Sequence, residues 1–235
     1  MKKIKRLNWD SDFFGRETGK MNVDGSWPDS DSLHHYELVY LYSNSKVPDE
    51  VICSYLKEFE IFEAGRQLKF GKEVTNAPTP EGIRIAKANE IHHTELQELA
   101  LSSGVYSRFR LDPHMESGKF RELYLLWLEN SLKKILADET YVITVNDETA
   151  GFISLRSQNT NTVIGLIAVS KRFQGQGLGT QLLQQAESHA KKEGMKYLFV
   201  STQFQNSAAV ALYEKYGFKL KEESYLYHLW KKKQP

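Results

Sequence analysis

Three glycines at alternate positions, Gly175, Gly177 and Gly179, follow the basic turn Ser170-Lys171-Arg172-Phe173-Gln174. An apolar run ends just before them at Val169. A helix opens near Leu178, because Leu178, Leu182, Leu183, Ala186 and Ala190 recur at the spacing of one buried face. A glycine-rich turn between strand and helix lets the backbone come close to a ligand. Successive N–H groups and the positive end of the helix dipole then converge on one spot, which suits a diphosphate. The other reading is a strand-to-helix turn with no ligand. The spacing is neither the dinucleotide fingerprint nor the Walker pattern, since no Gly-Lys-Ser/Thr follows.

The elements that must hold this turn come from a chain of 235 residues, long enough for one large or two small domains. Apolar residues make up 40% and charged residues 26%, as in ordinary globular proteins. A formal net charge of +1 argues against a general nucleic-acid binder. The one cysteine, Cys53, excludes an internal disulfide, and its apolar surroundings read as a buried thiol. Metal-ligand spacing is absent: His34-His35 and His92-His93 are adjacent pairs, which do not share a helix face. The basic start at Met1-Lys2-Lys3 is not followed by an apolar stretch, and no run has the length of a membrane span. The expectation is a cytoplasmic protein with neither membrane nor nucleic acid as partner.

Composition suggests a linker at Thr75–Gly82, between an N-terminal unit (1–78) and a second unit (83–235). In the first, Leu38–Tyr42 reads as a strand, and Val51–Phe62 is ambiguous between helix and strand. Trp9, Phe13 and Phe14 need apolar cover, either as a staple onto the second unit or as a substrate wall. In the second unit strands and helices alternate. Ile83–Ala86 is a strand, Asn89 caps a helix to about Leu101, and a loop runs from Ser102 to Gly118. Phe120, Leu123, Tyr124, Trp127, Leu128, Leu132 and Ile135 mark an amphipathic helix. Strands follow at Tyr141–Val145, Gly151–Leu155 and Thr162–Val169, then, beyond the glycine turn, at Tyr197–Ser201. A helix starts at Asn206 and ends at Gly217, and Phe218–Leu220 and Tyr225–Leu229 complete the sheet.

The segment Gln174-Gly175-Gln176-Gly177-Leu178-Gly179 resembles the Gln/Arg-x-x-Gly-x-Gly/Ala signature of the GCN5-related N-acetyltransferases (GNAT). Asn206-Ser207-Ala208-Ala209-Val210-Ala211-Leu212-Tyr213-Glu214-Lys215-Tyr216-Gly217-Phe218 resembles the family's second signature. The resemblance implies an α/β fold: a mixed, mostly antiparallel sheet flanked by helices, here with a smaller N-terminal α/β unit. It implies acetyl-CoA as co-substrate and no metal. Gly175, Gln176, Gly177, Leu178, Gly179 and Thr180 would hold the pyrophosphate. The backbone of Ile167, Ala168 and Val169 would pair with the pantetheine arm. Asn206 would bond the cofactor or merely cap its helix. An amine would attack the thioester directly, and Tyr213 would protonate the departing thiolate, whose reference pKa is about 8.5. Spacing alone reads Tyr213 as a helix-core tyrosine. The position where ribosomal-protein acetyltransferases of this family carry a glutamate is Ser201, so the general base is unassigned and an ordered water is the default.

Trp9–Gly15, Ser107-Arg108-Phe109 and the helix around Tyr124 and Trp127 resemble the TDP-fucosamine acetyltransferases. This implies a nucleotide-linked amino sugar as acceptor and a homodimer. Arg108 would meet the acceptor's diphosphate, with Arg110 nearby, and Phe109 or Phe14 would pack on base or sugar. Otherwise the arginines belong to a solvated loop or an ion pair. A protein or peptide Nα-acetyltransferase and a non-catalytic acyl-CoA-binding module are the alternatives.

Overall fold

The computed structural model describes residues 4–23 and 30–232; the basic start at Met1–Lys3 lies outside them. Its strands are β1 (Lys5–Arg6), β2 (Thr18–Val23), β3 (Leu38–Ser43), β4 (Phe59–Glu73), β5 (Ile83–Ile85), β6 (Glu139–Val145), β7 (Glu148–Gln158), β8 (Asn161–Val169), β9 (Tyr197–Gln203) and β10 (Lys219–Lys231). The helices are α1 (Asn8–Phe14), α2 (Asp49–Tyr55), α3 (Thr94–Ser103), α4 (Arg108–Leu111), α5 (Lys119–Leu132), α6 (Leu178–Lys192) and α7 (Ser207–Lys215). All ten strands form one sheet in the order β1-β2-β3-β10-β4-β9-β8-β7-β6-β5. Among the described residues only β2–β3 and β8–β9 pair in parallel. No described helix is long and apolar enough to cross a membrane.

The sheet continues across the Val74–Gly82 connection. Strand β4 on its N-terminal side pairs with β9, and the C-terminal β10 lies between β3 and β4. Strand β10 is thus one long interior strand rather than two short closing ones. Irregularities at Leu220/Glu222 and Leu226/Tyr227 keep it in step with β4, and these account for its broken sequence pattern. Beyond Phe62, strand β4 has no counterpart in the sequence reading. The segment Val51–Phe62 divides: it is helix to Tyr55 and strand from Phe59.

Side-chain alternation sorts the core into layers. On one face α3, α4, α5 and α1 cover Leu38, Tyr40, Val142, Phe152, Leu166 and Trp230. On the other, α6 and α7 cover Leu68, Phe70, Ile153, Ile164 and Val200, while α2 covers Leu41, Phe59 and Tyr227. Cys53 is exposed, contrary to the expected buried thiol. Helix α2 turns Tyr55 inward with Val51 and Ile52 packed behind it, which puts Cys53 on the opposite side. Asn89 does not cap α3. It lies in a 3-10 turn, Ala88–His92, and α3 begins at Thr94. The β6–β7 connection is a two-residue hairpin at Asn146 and Asp147, both with positive φ (51° and 64°), the conformation a type I′ turn requires.

One buried carboxylate ties the Val74–Gly82 connection to the helical layer. Glu187 of α6 accepts hydrogen bonds from Lys72 Nζ, the Thr75 backbone N–H (2.7 Å) and hydroxyl (2.8 Å), and the Tyr216 hydroxyl (2.9 Å). Burial alone would raise its pKa. The bonds from Lys72, Thr75 and Tyr216 outweigh burial and hold it below the ordinary carboxylate value. The stability this supplies is present above the unfolded-state pKa of about 4.3 and is lost as pH falls through the lower folded-state value. Glu187→Gln is expected to cost about 1–3 kcal/mol at pH 7. In urea titrations the gap between wild type and variant should close below about pH 4. A gap that stays constant with pH would show that the charge at Glu187 does not contribute.

Candidate active site

The site is built where two neighbouring strands part. Strands β8 and β9 pair in parallel from Asn161–Tyr197 to Ile164–Val200, and there the ladder stops. Strand β9 continues to Gln203 paired with β4, and β8 continues to Val169 paired with β7. The cause is local to β8. Its register with β7 shifts between Ile153 and Leu155, where the extra residue of a bulge lies in the Gly165–Leu166 segment. The Leu166 N–H donates to the Ser154 hydroxyl (2.8 Å) instead of to the ladder. Bulges bend the strand that carries them, and this one marks the start of the divergence from β9. The β9-facing backbone of Gly165–Val169, which includes Ile167, Ala168 and Val169, therefore borders a gap.

At the far end of β8 the chain enters the glycine turn. Gly175 and Gly177 have φ of +78° and +80°, a region closed to most side chains, and no neighbour would obstruct an added Cβ. Backbone conformation, not crowding, is what glycine supplies at these two positions. Gly179 differs: an added Cβ would lie 3.0 Å from Leu212, so its role is the close approach of α6 to α7. No side chain caps the start of α6, and the first helical bond is that from Gln181 to Gly177. The N–H groups through Gln176, Leu178 and Thr180 thus stand at an open helix N-terminus. Gln174 anchors the turn by donating from Nε2 to the Val169 carbonyl (3.1 Å).

Tyr213 sits at the apex of the fork. Its ring packs on Phe70 (5.9 Å between centroids) and Phe218 (5.8 Å), and Phe70 pairs with Val200, the last β9 residue before the strands part. The residue is 3% exposed, and burial pushes its pKa well above the ordinary value, so the phenol keeps its proton. Asn206 is the N-cap of α7. Its Oδ1 accepts from the Ala209 N–H (3.3 Å), and its Nδ2 donates to the Thr202 hydroxyl (3.2 Å). Those bonds fulfil the capping role. Ser201, on the opposite side of β9 from Val200 and Thr202, is exposed.

The acceptor-side residues lie on the other face of the sheet. Phe14 and Phe109 are buried against one another (centroids 5.9 Å), in a run of rings from exposed Trp9 through Phe13 to Trp127. Helix α1 thus staples the N-terminus onto α4. The Arg108 guanidinium lies over the Tyr40 ring (3.7 Å) and beside Phe109 (4.2 Å). Arg110 instead approaches Phe120 (5.8 Å) and borders an open pocket of about 340 Å³ along the α4–α5 loop. Asp10 joins the same region as Arg108: burial raises its pKa and the Arg108 charge opposes the rise. Four polar groups here escaped sequence reasoning: Asp10, Tyr40, Asp112 and His228. His228 Nδ1 and the Asp112 carboxylate meet at 2.5 Å although 116 positions apart, a pairing that no local spacing encodes.

The sequence model of the acetyltransferase (GNAT) family matches residues 104–218, from the acceptor loop through α7. The dTDP-fucosamine acetyltransferase of Escherichia coli O6:H1 is 26% identical over 228 residues, 94% of this chain and 96% of that protein. The spore coat polysaccharide biosynthesis protein SpsD of Bacillus subtilis is 29% identical over 133 residues, and the match spans 46% of that longer protein. Among solved structures, a functionally unknown conserved protein from Staphylococcus epidermidis superposes with a TM-score of 0.59 at 15% identity, covering 93% of this chain and 84% of that one. The PaiA N-acetyltransferase of Thermoplasma acidophilum, solved with coenzyme A, gives 0.51 at 21% identity, covering 62% and 96%. Those two likenesses concern the fold. With the forked strands, the glycine turn and both signatures in one chain, residues 104–218 carry an acetyltransferase segment of the GNAT family, and the protein is an acetyl-CoA-dependent N-acetyltransferase.

Proposed function

We propose that the acceptor is the amine of a nucleotide-linked amino sugar, of the dTDP-4-amino-4,6-dideoxygalactose type, acetylated for surface polysaccharide. The observation that carries this reading is Arg108. It is a guanidinium at the start of α4, laid on an aromatic shelf made by Tyr40 and Phe109. A planar fork of donors fixed in this way suits the oxygens of a diphosphate. Support comes from the relative named dTDP-fucosamine acetyltransferase, which aligns over 94% of this chain at 26% identity.

The roles divide by face. The N–H groups of Gly175–Thr180 hold the pyrophosphate of acetyl-CoA at the start of α6. The gap-facing backbone of Ile167, Ala168 and Val169 pairs with the amides of the pantetheine arm, and an N–H near Ala168 and Val169 polarises the acetyl carbonyl. Asn206 keeps α7, and with it Tyr213, in place. The neutral amine attacks the carbonyl carbon, the carbon–sulfur bond breaks, and the Tyr213 phenol gives its proton to the sulfur. The amine's proton leaves to water, and water returns a proton to the Tyr213 phenolate. Phe109 supports Arg108, and Phe14 supports Phe109. The chain acts as a homodimer in the cytoplasm on this reading.

Thiol release from acetyl-CoA in the presence of dTDP-4-amino-4,6-dideoxygalactose is expected to saturate with the sugar and to be absent with N-terminal peptides. Release with peptides alone would move the protein-acetylating reading to first place, and release with neither would favour a binding module. Tyr213→Phe is expected to lower kcat by roughly 10²–10⁴-fold with the KM for acetyl-CoA little changed. An unchanged rate would remove Tyr213 as the acid. Arg108→Ala is expected to raise the KM of the sugar by about 10–100-fold and leave that of acetyl-CoA alone. Equal rises in both would make Arg108 structural.

A further inference from the structure

Beneath Arg108 lies a buried chain of polar groups that the reaction as described does not use. His228 of β10 and the Asp112 side chain are both 0% exposed. Asp112 Oδ2 accepts from His228 Nδ1 (2.5 Å) and Trp230 Nε1 (2.8 Å). Its Oδ1 accepts from the His114 N–H (2.9 Å) and faces His114 Nδ1 (3.0 Å). On the other side of the His228 ring, Nε2 meets Arg108 Nη1 at 3.0 Å.

The direction of this chain follows from chemistry. A guanidinium only donates and a carboxylate only accepts. An imidazole between them must accept at Nε2 and donate at Nδ1, which is the neutral Nδ1–H tautomer. Burial, with the Arg108 charge adding to it, pushes the His228 pKa down to about 4, against the pull of Asp112. Asp112 stays ionised: burial would raise its pKa, but the bonds from His228, His114 and Trp230 bring it below the ordinary value. His114 lies between Asp112 and Glu60 (2.7 Å), and its pKa is raised by those two carboxylates against the effect of burial.

An aspartate–histidine pair next to a substrate loop invites a second reading, His228 as the missing general base. Three observations oppose it. The ring is wholly buried, Nε2 is already occupied, and a proton there would put a second positive charge 3.0 Å from the guanidinium. The pair suits another task. Arginine has a long side chain with many rotamers, and fixing it before the ligand arrives removes that entropic cost from binding. A neutral imidazole fixes the guanidinium without cancelling its charge as a direct carboxylate partner would. The half-buried Asp10 lies within electrostatic reach of the Arg108 charge. The buried Tyr40 side chain braces the guanidinium through its ring, 3.7 Å away.

We infer that His228 and Asp112 are positioning residues: they hold Arg108 in one orientation as the seat for a phosphate oxygen of the acceptor's nucleotide. This rests on the nucleotide-linked acceptor proposed above. The test is a double-mutant cycle on Arg108→Ala and His228→Phe, with His228→Gln as the conservative variant, because an amide can accept from Arg108 and donate to Asp112. The readouts are the inhibition constant of dTDP against the sugar and the KM of acetyl-CoA.

His228→Phe is expected to weaken dTDP by about 10–100-fold with acetyl-CoA unchanged. It should add nothing once Arg108 is alanine, and His228→Gln should stay within a few-fold of wild type. Additive effects, or equal losses for both ligands, would overturn the inference. No effect of Arg108→Ala on dTDP would instead overturn the acceptor reading on which it rests. Should His228→Phe fail to fold, the wild-type protein still decides. Nitrogen-15 NMR at pH 7 is expected to show His228 neutral with its proton on Nδ1. A proton on Nε2, or a charged ring, would overturn the relay.

Discussion

The structure depends on a strand pairing that stops in the middle of the sheet. Backbone N–H and C=O groups are obligatory hydrogen-bonding groups, and leaving them unpaired is costly away from water. Interior strands normally satisfy them on both sides. Strand β8 does so only as far as Ile164, and from Gly165 onward one of its edges faces a gap. Three features keep the gap from closing. The bulge bends β8, and the Ser154 hydroxyl takes up the displaced Leu166 N–H. Strand β9 is committed to β4 on its other side down to Gln203. Phe70, Val200 and Tyr213 fill the apex with aromatic and aliphatic bulk. A gap bordered by strand edges fits a slender amide-bearing arm better than a bulky ligand, and on the proposed reading the pantetheine arm is that ligand.

The fork also joins the two faces of the sheet. The glycine turn and Tyr213 belong to the α6–α7 face, while Arg108, Tyr40 and His228 belong to the α4–α5 face. Residues along β8 alternate between them: Leu166 and Ala168 pack toward α3 and α5, and Ile167 and Val169 toward α6. On the proposed reading the donor and the acceptor approach from opposite faces and meet where the sheet is open. The N-terminal strands then extend the acceptor face. Tyr40 comes from β3, and His228 comes from a strand that lies between β3 and β4.

This division explains what the sequence made legible. The side proposed for the cofactor is written in short stretches, Gly175–Thr180 and Asn206–Phe218, because a helix start and a helix face are local objects. Strand and helix periodicity likewise located β3, β6 through β9, α5 and α6. The acceptor side is assembled from positions far apart. Asp112 meets His228 and Trp230 across the whole second half of the chain, and Phe14 meets Phe109 across most of the first. Local patterns also misled where two elements shared one apolar run, as in Val51–Phe62, or where a strand carried a bulge, as in β10 at Lys221. Cys53 looked internal because apolar neighbours in sequence are not neighbours on a helix face.

Two buried carboxylates hold these distant parts in register. Glu187 fastens the connection after β4 to α6 and α7, and Asp112 fastens the acceptor loop to β10. A buried charge is weak evidence for stability as such, since desolvation offsets much of what its partners return. Its clearer effect is selection among arrangements. An apolar contact tolerates sliding, whereas a carboxylate surrounded by donors from several segments loses several bonds if any one of them shifts. Helix α4 has only four residues and could not hold Arg108 in place through its own hydrogen bonds. The Asp112 carboxylate directly after it supplies that constraint from outside the helix. The precision of the acceptor loop is therefore a property of the N-terminal sheet and β10, which is a physical reason for the two parts of the chain to share one sheet.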